Sequence, residues 1–137
     1  MKNILPTTLL LVLLLWMGQT MLAQAVGPPF VADADTVRLR HHLTYLTTTP
    51  QPRNYRHPAV LDSVADYLAR QLRAAGAHEV GEQPSTVQGQ PYRNVLASFA
   101  PATVPRPLIG AHYDVCVEQP GAAENGTGVP AALELAR

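Results

Sequence analysis

Between Pro58 and Gly76 a single apolar stripe, Leu61, Val64, Ala65, Leu68 and Leu72, recurs at three- and four-residue spacing. The spacing predicts an amphipathic helix over residues 58–75, with Pro58 at its first position and Gly76 just past its end, where a left-handed residue is favoured. Such a stripe has to be buried, so the rest of the chain must supply elements to cover it. Upstream, residues 34–46 carry Val37, Leu39, Leu43 and Leu46 in a less regular pattern that Thr47-Thr48-Thr49-Pro50 ends, and a second helix is expected there. His41 and His42 on that helix are expected to be exposed or capping side chains rather than ligands. Arg53, Tyr55, Arg56 and His57 in the connection are expected to be solvated loop residues, with the lining of a substrate entrance as the alternative.

Downstream the period changes. Residues 79–87 and 92–99 read as strands, with Val95, Ala97 and Phe99 alternating against Asn94, Leu96 and Ser98, and a turn at Gln88-Gly89-Gln90 makes them a hairpin. Residues 108–112 are expected as a third, buried strand, and residues 129–137 as a helix with Pro130 near its start and Leu133 facing inward. The order of helices and strands fits an α/β sandwich with a mixed sheet. No internal repeat is visible, and the Pro-rich stretches 27–30, 47–58 and 101–107 read as connections within one domain.

The chemistry concentrates where the third strand ends. His112 and Asp114 are two residues apart in an extended run, so they point the same way, and the carboxylate can hold the imidazole tautomer that leaves the other ring nitrogen free for a metal. Glu124 lies ten residues after Asp114, in Gly121-Ala122-Ala123-Glu124-Asn125-Gly126-Thr127-Gly128, a turn whose glycines permit backbone that a side chain would forbid. A carboxylate there can reach back toward His112. A hydrogen-bonded His at a strand end accounts equally well for the His-x-Asp tripeptide by itself, and no phosphate-binding glycine pattern is present. Glu134 in the last helix is expected to be a structural or solvated carboxylate.

Taken together, GAHYDV followed by PGAAENGTGVPAALELAR resembles the M28 family of zinc aminopeptidases, where a GAHYDS-like strand end precedes PGADDNxSGxxxxLELAR. The resemblance extends upstream through Pro52-Arg53, residues 55–58, Gly76 and Tyr92-Arg93-Asn94-Val95, covering residues 37–137. It implies a three-layer α/β sandwich with a mixed, mostly parallel sheet of the zinc-exopeptidase kind, incomplete in this chain. It also implies that His112 binds a metal, that Asp114 orients His112, and that Glu124 bridges two zinc ions across a Glu124–Asn125 peptide that is cis, a bond costing about 3–4 kcal/mol. Ala123-Glu124 stands where that family has Asp-Asp. The extra methylene of Glu124 moves its oxygens by roughly 1 Å, against a tolerance of ~0.2 Å in metal–ligand distances. The family's general-base Glu and its remaining ligands belong to segments beyond Arg137, so the chain alone is expected to be an inactive N-terminal piece. Two alternatives stand beside a peptidase: a glutaminyl-cyclase-like single-zinc aminoacyltransferase, suggested by Val129-Pro130, and a metal-free binding relative, suggested by Ala123 and Glu124.

Composition narrows the setting. Lys2, the apolar run 9–17 and the A-x-A site Ala23-Gln24-Ala25 mark residues 1–25 as a secretory signal, which leaves residues 26–137 as an exported, secreted or periplasmic domain with no stable membrane anchor. The apolar run is shorter than the ~20 residues that a spanning helix needs. Removing Lys2 with the signal leaves nine Arg against ten acidic groups, so the cationic excess of a nucleic-acid-binding domain is missing; peptide substrates are what the resemblance implies. The single cysteine, Cys116, rules out an internal disulfide and is expected to be a half-buried small side chain. Asn125-Gly126-Thr127 is read as a chance sequon, and the oligomeric state cannot be read from the residues.

Overall fold

The structure, a computed structural model, describes residues 33–103 and 105–137. The signal expected at residues 1–25 lies outside them. Helix α1, Thr36–Thr48, starts where the Asp35 carboxylate accepts the amides of Val37 and Arg38 at 2.9 and 3.0 Å, a cap of the kind that contributes about 1 kcal/mol. Helix α2, Pro58–Ala74, begins with Pro58 in its first turn and ends at Gly76, whose φ of +88° lets Ala77 N–H turn back to Leu72 O at 3.2 Å. Its buried face carries Leu61, Val64, Ala65, Tyr67, Leu68 and Ala69. Helix α3, Gly128–Leu135, buries Val129, Pro130 and Leu133. Leu46, Val64, Tyr67, Leu68, Val129 and Leu133 form one core cluster from the three helices, each fully buried apolar side chain being worth about 1.5–3 kcal/mol.

Strands β1, Glu79–Val87, and β2, Gln90–Ser98, pair antiparallel from Glu79 opposite Ser98 to Val87 opposite Gln90. Their turn is two residues, not three. Gln88 and Gly89 both have positive φ, +51° and +78°, the hairpin geometry that matches the twist of the flanking strands, so pairing resumes at Gln90. Arg93 ties the hairpin to α2 through Asp62 (3.0 Å) and Asp66 (2.8 Å) and pairs across the hairpin with Glu82 of β1 (2.5 Å). Burial lowers the pKa of its guanidinium, but the three carboxylates outweigh that and raise it.

The three-layer α/β sandwich with a mostly parallel sheet is not what forms. The described residues hold three α-helices, one wide turn at Ala122–Gly126 and a two-stranded antiparallel sheet. Residues 108–112, expected as a buried strand, have no ladder partner among the described residues, and Leu108 and Ile109 are 92% and 60% exposed. A helix closes its own hydrogen bonds, whereas a strand exists only where a neighbour accepts its backbone. The run therefore keeps an extended order without becoming a strand: Ala111 and Tyr113 pack on the core and Val115 is buried, while His112 and Asp114 alternate outward.

Three smaller expectations also change. His42 is 2% exposed rather than solvated or capping, with its Nδ1 2.5 Å from the Tyr67 hydroxyl and burial pushing its pKa down. Arg53 is 1% exposed, not a solvated loop residue. Cys116 is exposed rather than half-buried, because it follows inward-facing Val115 in the extended run.

Candidate functional site

The path from Ala111 to Gly126 carries all three site residues. His112 Nδ1 lies 3.1 Å from Asp114 Oδ1 and 3.1 Å from Asp114 O, so the acceptor oxygens of one residue hold the ring from behind. Both side chains are 54% exposed. With Nδ1 occupied as donor, the neutral imidazole keeps its Nε2 lone pair for an external electrophile. Tyr113 between them anchors the run, its hydroxyl donating to Arg93 O at 2.5 Å. Burial raises the pKa of that phenol, keeping it a neutral donor.

Glu124 sits in the wide turn Ala122–Gly126, where Gly126 N–H donates to Gly121 O at 2.9 Å. Glu124 and Asn125 have non-helical dihedrals (φ −119°, ψ 94° and φ −92°, ψ 33°), and the exposed Glu124 carboxylate accepts from Gln119 Nε2 at 2.7 Å. The cis peptide among the described residues is Gln51–Pro52, and Glu124–Asn125 is trans. The glycines around Glu124 do two different things. Gly121 has φ +64°, whereas a Cβ on Gly126 would stand 2.2 Å from Gly121 O, so close approach and not left-handed backbone demands the second.

The structure thus brings His112 and Asp114 together and shows no hydrogen bond or ion pair between Glu124 and either of them among the described residues. Nor do three His, Cys, Asp or Glu side chains converge there on a position that would hold a metal ion. The donors fit one imidazole ligand and its orienting carboxylate, together with an exposed carboxylate tied to a neutral amide. They fit part of a metal site rather than a closed one, since catalytic zinc commonly takes three protein ligands plus water. Glu134 stays apart as a structural carboxylate: it accepts Arg38 Nε and Nη2 at 2.7 and 2.9 Å and Asp35 N at 2.7 Å, and those bonds hold its pKa down to about 2.

Arg53, expected to be solvated, and Asn54, which no sequence feature singles out, shape the loop that separates His112 from Glu124. Arg53 donates from Nη1 to Tyr113 O (3.0 Å) and from Nη2 to Pro120 O (2.6 Å) and, more weakly, Gly121 O (3.5 Å), while its own carbonyl accepts Val115 N–H at 2.7 Å. Burial lowers the pKa of its guanidinium and the Asp114 charge partly restores it. Asn54 donates from Nδ2 to Val117 O at 2.8 Å. Val117 holds φ at +54°, a left-handed conformation that costs a β-branched residue about 1–2 kcal/mol and persists only where neighbours enforce it. Neither residue had a periodic signal that could have singled it out.

No family model matches the chain, and no solved structure matches it. It is similar to an Escherichia coli (strain K12) protein described as uncharacterized protein YfbL, with 36% identity over 118 residues that make up 80% of this chain and 36% of that relative. The chain thus spans about a third of the length of the relative it matches. That relative's description assigns no activity that could be carried over.

Proposed function

We propose that this chain carries part of the active site of an exported zinc-dependent aminopeptidase, with His112 and Glu124 as metal ligands and Asp114 orienting His112. The supporting observation is the backed imidazole, His112 Nδ1 at 3.1 Å from Asp114 Oδ1 with both side chains half open to solvent. A carboxylate behind a ligating histidine fixes the tautomer and raises its basicity. Zinc bound there would polarise a peptide carbonyl and lower the pKa of bound water towards neutrality. His112 offers the Nε2 lone pair, Asp114 retains the Nδ1 proton, and Glu124 supplies an anionic oxygen whose present partner is neutral.

Two ligands are too few for turnover, so the chain by itself is expected to bind zinc weakly and to hydrolyse no aminoacyl-anilide. A calorimetric zinc titration paired with that assay, run on this chain and on a longer product containing it, tests the proposal. Zinc-dependent turnover by the longer product that His112→Ala abolishes and Glu124→Asp preserves is the expected result. Absence of both binding and turnover in a folded longer product would defeat it. The Glu124–Gln119 bond favours one competitor, a metal-free binding relative, and that same negative outcome would support it.

A further inference from the structure

We infer that Arg53 is a positioning residue for the candidate site, its guanidinium fork fixing both ends of the 113–121 loop and thereby setting where His112, Asp114 and Glu124 stand. This inference rests on the metal-site reading for its functional meaning. Its geometry does not.

A guanidinium that is almost wholly buried is unusual, and one buried without a carboxylate in hydrogen-bond contact more so. Its hydrogen-bonding acceptors are backbone carbonyls, and their places in the chain are informative. Tyr113 O lies between the two members of the His–Asp pair, and Pro120 O and Gly121 O lie at the entrance to the turn that carries Glu124. One rigid, planar group therefore spans a loop whose two ends carry the candidate ligands. A carbonyl carries no side-chain identity, so what Arg53 reads is loop shape alone.

Two further contacts show that the loop has been shaped to this fork. A Cβ placed on Gly121 would stand 2.0 Å from Val115 Cγ1 and 3.0 Å from both Arg53 Nη2 and Glu124 O, so the glycine leaves room first for Val115 and then for the fork. Val115 N–H returns to Arg53 O at 2.7 Å, and Asn54 holds the carbonyl of left-handed Val117. The loop is gripped at 113, 115, 117 and 120 from two consecutive residues. A connection that merely closed the core would not need this many fixed points, because Val115 already buries its side chain and Tyr113 packs, partly buried, on the core.

The experiment compares the unaltered chain with Arg53→Met, Arg53→Lys and Gly121→Ala by amide hydrogen exchange and by nitrogen NMR of the histidine rings. His42, held in the core by Tyr67, serves as the internal reference for a structural loss. Losing the fork should speed exchange at the 113–121 amides by about tenfold, the worth of roughly one net hydrogen bond in local opening. His112 should lose its Asp114-bonded Nδ1–H signal while His42 and the α2 amides are unchanged. Arg53→Lys should not rescue the loop, since an ammonium cannot span Tyr113 O and Pro120 O as a fork does. Gly121→Ala, which crowds Val115 before it crowds Arg53, should loosen the loop with the charge intact, and Arg53→Lys decides the matter if Arg53→Met does not fold. Unchanged loop exchange and His112 signals in these variants, uniform loss at His112 and His42 alike, or full rescue by Lys would each overturn the inference. Zinc added to the unaltered chain supplies the separate reading: silence at His112 counts against the metal site and leaves the fork to be judged by exchange.

Discussion

The helical core and the run 108–112 are made of similar residues and end in opposite environments. Leu46 and Val64 are 0% exposed, whereas Leu108 is 92% exposed. Hydrophobicity alone does not explain the contrast. Each helix satisfies its own backbone and needs only a face to bury, so three of them close a core around Tyr67 and Leu68. Residues 108–112 can bury both their side chains and their backbone only if another strand lies alongside, and among the described residues neither outer edge of the β1–β2 hairpin pairs with them. Leu108 and Ile109 share a broad groove with the exposed Leu96, Phe99 and Leu135. Apolar surface of this kind is where the two regions differ energetically.

The strongest way to break that contrast is truncation on both sides of it. Leu46→Ala should lower unfolding free energy in denaturant titration by about 2–5 kcal/mol, through lost transfer energy plus a cavity that the three helices cannot collapse. Leu108→Ala should change it by less than about 0.5 kcal/mol. If Leu108→Ala costs as much as Leu46→Ala, the run is covered in solution and the contrast fails.

A smaller effect separates the ends of the helical core from its centre. Arg38 and the Asp35 amide hold the Glu134 pKa at about 2, below its ordinary 4.5, so the unfolded chain takes up the proton first as pH falls. The stabilisation from Glu134 is therefore complete above pH 4.5 and is lost as pH drops towards about 2. Melting temperatures of the unaltered chain should fall through that window more steeply than those of Glu134→Gln, which has no proton to gain. His42 acts at higher pH with the same sign. Its pKa is lowered by burial first and then by His41, Arg137 and Arg38, against Glu134, so stability declines as pH falls below its ordinary 6.5. Parallel pH profiles for the unaltered chain and Glu134→Gln would show that the α1–α3 contact is not held by this carboxylate.

What the residues revealed follows the same division. Helices α1, α2 and α3 and the hairpin came from local periods and from Gly76 and Gly89, which act over a few residues. Pairing partners do not leave such a trace, so the apolar pattern of residues 108–112 predicts a strand that finds no partner among the described residues, and the mostly parallel sheet that the resemblance implies does not form. The His112–Asp114 contact forms nonetheless, because i and i+2 side chains share a side in any extended chain, paired or not. His42 is buried, as its place on the stripe of Leu39, Leu43 and Leu46 allows, although a histidine off the site's element is expected to be exposed or capping. The burial of Arg53 is not legible in the sequence, because a buried arginine in a loop answers to carbonyls brought from 60 or more residues away, and no spacing encodes them.

The smallest expected effect sharpens the comparison most. His112→Ala and Asp114→Asn should each change unfolding free energy by less than about 0.5 kcal/mol in the same titration, because both side chains are half open to water and exposed polar pairs contribute little. Yet the pair is held by a run whose neighbours Ala111, Tyr113 and Val115 face inward, and Tyr113 is fixed again by Arg93 and Arg53. Rigid support beneath side chains that add nothing to folding is the arrangement a binding or catalytic site requires, since placing a ligand within a few tenths of an ångström needs a stiff frame. A loss of about 2 kcal/mol or more in either variant would assign His112 and Asp114 to the fold instead, and the case for them as site residues would go with it.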